Sequence, residues 1–231
     1  EHFKVLLTKD SDLENMIQYE KEEEETDYLN CPISKEEVIF VVRKVKNRKA
    51  AGPDGIIGER IKYGCKSDLV LNFLVTFFNA LFDKGIYPEN WTESIVLPLY
   101  KKGDINNPSN YRGISLCDTT SKLYSAIING RLQEWVEDNN LTGEYQAGFK
   151  RHYSTIDHMF TLLALIQKQF SLNRKLYVAF VDFEKAFDSI NRSIVWPILF
   201  KNGVRGKLFK CIMSMYDCVR VRIRCGGKLT D

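Results

Sequence analysis

The stretch that most constrains this chain runs from Leu176 to Asp188. It begins with six apolar residues, rich in β-branched and aromatic side chains, and polar residues flank it on both sides. A short apolar run of this kind predicts a buried strand rather than a helix. The run ends on Asp182, a carboxylate at the edge of a core, where a negative charge needs a cation or a metal as its partner. Because Mg²⁺ prefers oxygen ligands, Asp182 is a candidate magnesium ligand.

Asp182 and Asp188 enclose the string Asp-Phe-Glu-Lys-Ala-Phe-Asp. One reading of this spacing is a strand followed by a helix-capping Asp. The string also resembles the first carboxylate motif of reverse transcriptases, in the form found in non-LTR (LINE-type) retrotransposons. That resemblance implies that Asp182 binds both catalytic metals and that Phe187 is a steric gate against a ribose 2′-OH. It also places Phe183 and Ala186 in the nucleotide pocket.

A second match covers the string Lys-Ala-Ala-Gly-Pro-Asp-Gly-Ile at residues 49–56. Gly-Pro-Asp-Gly is a strong turn signal. The basic residues before it either grip a phosphate backbone or form a solvated helix end. In LINE-type reverse transcriptases a very similar string opens the fingers and contacts the template. By this resemblance Gly52, Pro53 and Asp54 lie on the template side.

One hairpin is predicted, with its loop between Lys101 and Asn110, because two apolar runs flank this turn-rich segment and can form its two strands. Pro98 in the first run indicates an edge position or a bulge. Cations on such a hairpin suit a nucleotide triphosphate, although ordinary surface charges are the alternative. The Lys-Lys-Gly-Asp and Asn-Tyr-Arg-x-Ile-Ser elements resemble the family's fingers hairpin. The resemblance implies that Lys101 or Lys102, together with Arg112, binds the triphosphate.

A further element resembles the family string Gln-x-Gly-Phe-Arg-x-Gly-x-Ser-Thr, which lies beside the nucleotide and the template. The resemblance places four residues there: Gln146, Gly148, Phe149 and Lys150. Two positions depart from the pattern. Lys150 stands where the family has Arg, which keeps the charge but loses the planar fork. His152 stands where the family has Gly, which matters if the position needs a positive φ.

Apolar periodicity and capping signals predict the remaining elements. One helix is predicted to begin at the capping box Ser34–Glu37. Five further helices are predicted over Asp68–Lys84, Thr119–Asn140, Ile156–Phe170, Arg192–Lys201 and Lys207–Tyr216. Strict alternation over Val219–Arg224 predicts a half-buried strand with three arginines on one face. Those arginines either contact a nucleic-acid backbone or protect an edge strand.

The composition of the chain limits the classes of protein to which it could belong. The first 30 residues hold ten acidic and three basic residues, whereas the rest of the chain is basic, which is compatible with a polyanionic partner. The six cysteines contain no C-x-x-C pair. They argue against a zinc site and fit reduced thiols in the nucleus or cytoplasm. No apolar stretch approaches the roughly 18–20 residues of a membrane span, so no membrane partner is predicted.

Two-metal phosphoryl transfer needs several carboxylates to hold ions about 3.5–4 Å apart. No Asp-Asp pair follows Asp182, because the later aspartates are Asp188, Asp217 and Asp231. The family supplies its further carboxylates from a downstream Tyr/Phe-x-Asp-Asp hairpin. The chain is therefore expected to be the front of a polymerase and to be inactive alone.

The predicted fold is α+β, a right-hand polymerase of the reverse transcriptase type. Residues 1–33 are expected to be an acidic leader, 34–172 helix-rich fingers with a β-hairpin, and 173–231 a partial palm. The resemblance implies an RNA-directed DNA polymerase that adds dNTPs to a primer 3′-OH with two Mg²⁺ ions. Its partners would be an RNA template, a DNA primer, dNTP and the remainder of the palm and thumb. The alternatives are a non-catalytic nucleic-acid-binding relic of a retrotransposon and a remnant without binding.

Overall fold

The computed structural model describes residues 27–183, 186–187 and 189–230. Most of the predicted acidic leader, residues 1–26, lies outside these residues, as does Asp188. The helices are α1 (Asp27–Asn30), α2 (Lys35–Arg43), α3 (Gly58–Gly64), α4 (Asp68–Lys84), α5 (Thr119–Asp138), α6 (Thr155–Ser171), α7 (Arg192–Lys201) and α8 (Gly206–Ser214). The strands are β1 (Glu93–Tyr100), β2 (Tyr111–Leu116), β3 (Arg220–Cys225) and β4 (Lys228–Leu229).

The described residues form two compact units. The larger unit falls within Glu1–Leu132 and Asp188–Asp231, and the smaller unit is Gln133–Phe187. This division differs from the predicted boundary between residues 172 and 173, which remains a prediction about the parent polymerase. The coarse expectation of a mixed fold, with helices and a small sheet, is confirmed.

The larger unit contains a four-stranded sheet in the order β2-β1-β3-β4. β1 pairs antiparallel with β2 from Ile95↔Leu116 to Tyr100↔Tyr111, which confirms the predicted hairpin. β1 also pairs in parallel with β3, but only over Glu93–Val96. β1 is therefore an inner strand over Glu93–Val96. At Pro98 β2 is its one paired neighbour among the described strands, so the edge position suggested by Pro98 is confirmed locally, on the side away from β2.

The alternating segment near the carboxyl end forms β3, as predicted. Two of its arginines bind acids: Arg220 contacts Glu89 at 2.5 Å, and Arg222 pairs with Glu93. β3 lies between β1 and β4, although β4 covers only Arg224 and Cys225. Arg220 and Arg222 therefore form local ion pairs in this structure, and contact of the three arginines with nucleic acid stays a prediction.

The core of the larger unit is built around α4. Its apolar face follows the helical period, and five residues on it are buried: Leu71, Leu74, Phe78, Leu81 and Phe82. Phe78 packs against Tyr124 of α5 with ring centroids 5.4 Å apart, and Trp91 contacts both rings. Gly85 ends α4 with φ +64°, the left-handed conformation that favours glycine at a helix end. The predicted bounds of α4 and α7 are confirmed.

A buried arginine ties α5 to the amino-terminal segment. Arg131 is 7% exposed and binds Glu37 through two bonds, Nε–Oε1 at 2.7 Å and Nη2–Oε2 at 2.8 Å. The same guanidinium donates to three backbone carbonyls, those of Leu29 (3.3 Å), Cys31 (2.6 Å) and Pro32 (3.0 Å). A planar group with five donors is suited to such a set of acceptors.

Glu37 also closes the predicted capping box at the start of α2. The Ser34 hydroxyl accepts from the Glu37 N–H, and the Glu37 carboxylate accepts from the Ser34 N–H. Burial by itself would raise the pKa of Glu37. The hydrogen bonds from Arg131 and Ser34 outweigh it and hold that pKa below its ordinary value. One carboxylate therefore serves both a helix cap and a buried ion pair.

The smaller unit contains α6, which begins with a capping box formed by Ser154 and Asp157. α6 has the predicted apolar face but buries none of its residues, and Met159 and Phe160 are about 70% exposed. The prediction of a buried strand from Leu176 to Asp182 is wrong for this structure. The segment is irregular, and Phe180 is 85% exposed. A strand needs a neighbour for its N–H and C=O groups, and the described strands pair only with one another.

In the described part of the chain, no single helix has both the length and the apolar character to cross a membrane. Helices α3 and α4 reach that threshold only as a pair, and they are bent by 113°.

Candidate functional site

The β1–β2 hairpin carries the three cations predicted for the triphosphate. Lys101 follows β1 directly, Lys102 begins the loop, and Arg112 lies in β2 opposite Leu99. All three cations are exposed, and within the described residues their side chains form no ion pair. Because side chains alternate along a strand, Lys101 is placed on the face of Leu99 and Arg112. The hairpin therefore presents free positive charge at its tip.

The Gly-Pro-Asp-Gly turn packs against the end of β2. A Cβ at Gly52 would lie 2.5 Å from the Cys117 carbonyl and from the Asp118 nitrogen, so only glycine fits there. The Asp54 N–H donates to Asp118 Oδ1 at 3.0 Å. Pro53 is half-buried and Asp54 is exposed. The turn is thus fixed to the backbone that leads from β2 into α5.

Asp118 is the acceptor that fastens this turn, and it is only 4% exposed. Burial raises the pKa of Asp118, and the hydrogen bond from the Asp54 N–H opposes that rise. One residue later, Thr119 Oγ1 donates to the Ile56 carbonyl at 2.8 Å. The predicted template-side turn and the predicted triphosphate hairpin therefore belong to one connected structure within the larger unit.

A basic groove lies beside this turn, between the end of α2 and the start of α5. It encloses about 260 Å³, and its floor is apolar, with Val41, Val45 and Leu123 among its residues. Four lysines line it: Lys44, Lys46, Lys49 and Lys122. Among the described residues that line the groove there is no acid. A groove of this kind suits a phosphate backbone, because its positive charge is not neutralised from within.

The smaller unit brings two of the predicted nucleotide-side residues together. The rings of Phe149 and Phe187 meet edge to face, with centroids 5.9 Å apart. Gln146 donates to the Gly148 carbonyl at 3.2 Å, and Lys150 lies over the ring of Tyr153 at 5.0 Å. The contact between Phe149 and Phe187 joins two separate sequence motifs in space.

The first carboxylate motif itself is open. Asp182, Phe183, Ala186 and Phe187 are all exposed. Across residues 27–183, 186–187 and 189–230, no group of three or more His, Cys, Asp or Glu side chains could hold a metal ion. Among the described residues Asp182 therefore belongs to no cluster that could hold a metal ion, and its role as a metal ligand stays a prediction.

Comparison with known proteins identifies the family. The protein-family model described as "Reverse transcriptase (RNA-dependent DNA polymerase)" matches residues 100–229 of this chain, which include the hairpin loop and the Asp182 motif. The chain belongs to the reverse transcriptase family.

Relatives of this reverse transcriptase chain include proteins of transposons and other mobile elements. It is 26% identical to a probable RNA-directed DNA polymerase from transposon BS of Drosophila melanogaster, over 69% of this chain and 17% of the relative. It is 28% identical to the polymerase from mobile element jockey of Drosophila funebris, over 85% and 21%. It is 27% identical to the Pol polyprotein of type-1 retrotransposable element R2 of Popillia japonica, over 75% and 23%. The resemblance to non-LTR retrotransposons is confirmed, and the chain spans about a fifth of these relatives.

Sequence reasoning missed two residues of the candidate site, Asp118 and Lys122. An Asp just before a long helix signals a cap. That signal does not reveal the bond to Asp54, which lies 64 positions away. Lys122 carries no motif, and only the packing of α5 against α2 places it in the basic groove.

The departure at His152 has a structural consequence. Its φ is +65°, so the position does adopt the left-handed conformation that the family's glycine would take freely. We expect His152→Gly to stabilise the protein by up to about 1 kcal/mol, since relief of a strain of about 1–2 kcal/mol is partly offset by backbone entropy. The measurement is the free energy of unfolding in urea.

The matched control is His158→Gly, the same substitution at an exposed position inside α6. There the change should destabilise by about 0.5–1 kcal/mol, because glycine is a poor helix former. If His152→Gly proves as destabilising as His158→Gly, the strain at His152 is refuted.

Proposed function

We propose that this chain forms the fingers and the first part of the palm of a right-hand polymerase that copies RNA into DNA. The reaction adds a dNTP to the 3′-hydroxyl of a primer. The observation that carries the proposal is the β1–β2 hairpin, whose free cations Lys101, Lys102 and Arg112 stand within the family match. Their positive charge suits the oxygens of a triphosphate, with Arg as a planar fork and Lys as a mobile charge.

The template strand is proposed to run along the basic groove. Lys44, Lys46 and Lys49 precede the Gly-Pro-Asp-Gly turn, and Lys122 completes the lining from α5. Their contacts with phosphates would supply affinity that does not depend on sequence. The connection of the turn through Asp118 would hold this groove in a fixed relation to the hairpin.

The sugar and base of the incoming nucleotide are assigned to the smaller unit. Phe187 is proposed as the steric gate, and its edge contact with Phe149 supports its orientation. Ala186 keeps the pocket floor small, and Phe183, Gln146, Gly148 and Lys150 are proposed to line the nucleotide and template side. These assignments rest on the motif matches together with the contact between Phe149 and Phe187.

The oxygen donors among the residues that the structure describes do not by themselves fit two magnesium ions. Asp182 offers one exposed carboxylate, and two ions about 3.5–4 Å apart need several. We propose that Asp182 is one ligand of a site whose other carboxylates come from the remainder of the polymerase. The contribution of this chain is to position the triphosphate, the sugar and the template.

The test is primer extension on an RNA template by the complete polymerase that contains this chain. We expect Asp182→Ala to lower incorporation by about 10³-fold or more, because loss of a metal ligand removes several kcal/mol of transition-state stabilisation. Asp138→Ala, at an exposed carboxylate outside the matched motifs, is the control and should leave incorporation unchanged. Undiminished incorporation by Asp182→Ala would refute the role of Asp182.

A second candidate function is a non-catalytic nucleic-acid-binding module, which the basic groove favours. It predicts RNA binding that weakens steeply with salt and no incorporation by the parent enzyme. Soluble protein that binds RNA, without extension by either the parent or the Asp182→Ala variant, would select this alternative.

A further inference from the structure

The loop of the β1–β2 hairpin is held by a pair of tyrosines. Tyr100 and Tyr111 form the last cross-strand pair, and their rings meet edge to face with centroids 5.6 Å apart. Both hydroxyls reach forward into the loop. Tyr100 Oη donates to the Gly103 carbonyl at 2.5 Å, and Tyr111 Oη donates to the Ile105 carbonyl at 2.8 Å.

The interior of the loop is also hydrogen-bonded. Asn110 Nδ2 donates to the Asp104 carbonyl at 2.9 Å, and the Lys101 N–H donates to the Asn110 carbonyl at 2.9 Å. Gly103 has φ +95°, and a Cβ there would meet the Asn110 amide at 2.6 Å. The backbone of the loop therefore has one defined conformation, which uses the positive φ of Gly103 and the hydrogen bonds of Asn110.

This order is achieved without burial. Every residue from Lys101 to Ser109 is exposed, so no apolar core fixes the backbone of the loop. Hydrogen bonds must then supply the free energy that offsets the conformational entropy lost when the loop is ordered. The cationic side chains of Lys101, Lys102 and Arg112 take no part in these bonds, and alternation places Lys101 and Arg112 on the face opposite the tyrosines.

We propose that Tyr100 and Tyr111 are positioning residues for the incoming nucleotide. Their hydroxyls hold the loop in a conformation that presents Lys101 and Lys102 to the triphosphate. Arg112 is held in the adjoining strand. This inference rests on the proposed function, because it assumes that the hairpin binds the triphosphate. A loop that is ordered before binding loses less entropy when the ligand arrives, so the benefit is expressed as affinity for dNTP.

The test replaces both tyrosines with phenylalanine, which removes the two hydroxyls and keeps the ring pair. In the complete polymerase we expect KM for dNTP to rise about tenfold, the effect of two lost hydrogen bonds, with kcat within about twofold. Tyr63→Phe is the matched control, because Tyr63 is also exposed and its hydroxyl accepts a bond from Asn47 at 2.9 Å. It should leave KM for dNTP unchanged.

A second measurement does not depend on activity. In the 231-residue chain, the amide protons of Asn106, Asn107 and Asn110 should exchange faster in the double phenylalanine variant. Equal exchange in the two proteins would overturn the inference, since the hydroxyls would then not be holding the loop.

Arg112→Ala separates this inference from the proposed function. If Arg112→Ala raises KM for dNTP and the double variant does not, the triphosphate site stands and the positioning role of the tyrosines is refuted. If Arg112→Ala leaves KM unchanged, the triphosphate site is wrong and the inference falls with it. A double variant that lowers kcat and weakens template binding alike would indicate general damage, and it would also overturn the positioning role.

Discussion

Replacing Arg131 with Met is expected to lower the free energy of unfolding by about 3–5 kcal/mol. The substitution removes the partner of Glu37, whose side chain is 31% exposed, and leaves that carboxylate poorly compensated. It also removes the donor for the carbonyls of Leu29, Cys31 and Pro32. The bond to the Leu29 carbonyl is buried, so the loss of its donor adds a desolvation cost, whereas Cys31 and Pro32 are exposed and their carbonyls can turn to water. Urea unfolding followed by circular dichroism measures the loss.

Two further variants show which part of the guanidinium matters. Arg131→Lys keeps the charge but cannot bind Glu37 through two parallel bonds, so its loss should be intermediate. Arg131→Met combined with Glu37→Gln should cost less than the sum of the two single changes, since the pair acts as a unit. A loss below about 1 kcal/mol for Arg131→Met would show that the network adds little stability.

Local signals in the sequence predicted most of the helices well. α4 and α7 have the predicted bounds, and the capping box at Ser34 forms as expected. Capping and apolar periodicity act within one turn or two of helix, so they can be read from neighbouring residues. The hairpin was equally local, because its two strands adjoin one short loop.

Interactions between distant residues could not be predicted in this way. The parallel pairing of β1 with β3 joins residues more than 120 positions apart, and nothing in either strand specifies the other. No local signal in the sequence indicates that Arg131 is buried, yet it is buried because Glu37 and three carbonyls surround it. The segment from Leu176 to Asp182 has the composition of a buried strand, but a strand also depends on a neighbour, which composition does not supply.

The candidate site was predictable as a set of motifs and not as a geometry. The sequence identified Lys101, Lys102 and Arg112, and the structure adds the tyrosine hydroxyls that order their loop. The need for a positive φ at His152 could be framed from sequence and is met in the structure. The packing of Gly52 against the backbone of Cys117 and Asp118 could not be foreseen, because it joins segments far apart in the chain.

Gly52→Ala is expected to destabilise the protein at the upper end of the range of about 1–3 kcal/mol that overpacking costs. The new methyl group would lie 2.5 Å from the Cys117 carbonyl and the Asp118 nitrogen. Both neighbours are backbone, so no side chain can rotate away. The turn must move off β2, which breaks the bond from the Asp54 N–H to Asp118 and leaves a buried carboxyl without that donor. Urea unfolding gives the size of the loss, and amide exchange at Asp54 reports the broken bond.

Gly130→Ala is the matched control, because it makes the same chemical change within α5, where a Cβ meets nothing within 4 Å. There alanine should stabilise the helix by up to about 1 kcal/mol, so the two substitutions have opposite signs. Equal and small effects at both positions would mean that the turn is not packed on β2 as described. Destabilisation at Gly52 alone would show that this glycine is needed for packing even before any template binds. The RNA affinity of Gly52→Ala is then measured beside its free energy of unfolding. The comparison separates the packing role of Gly52 from its proposed place beside the template.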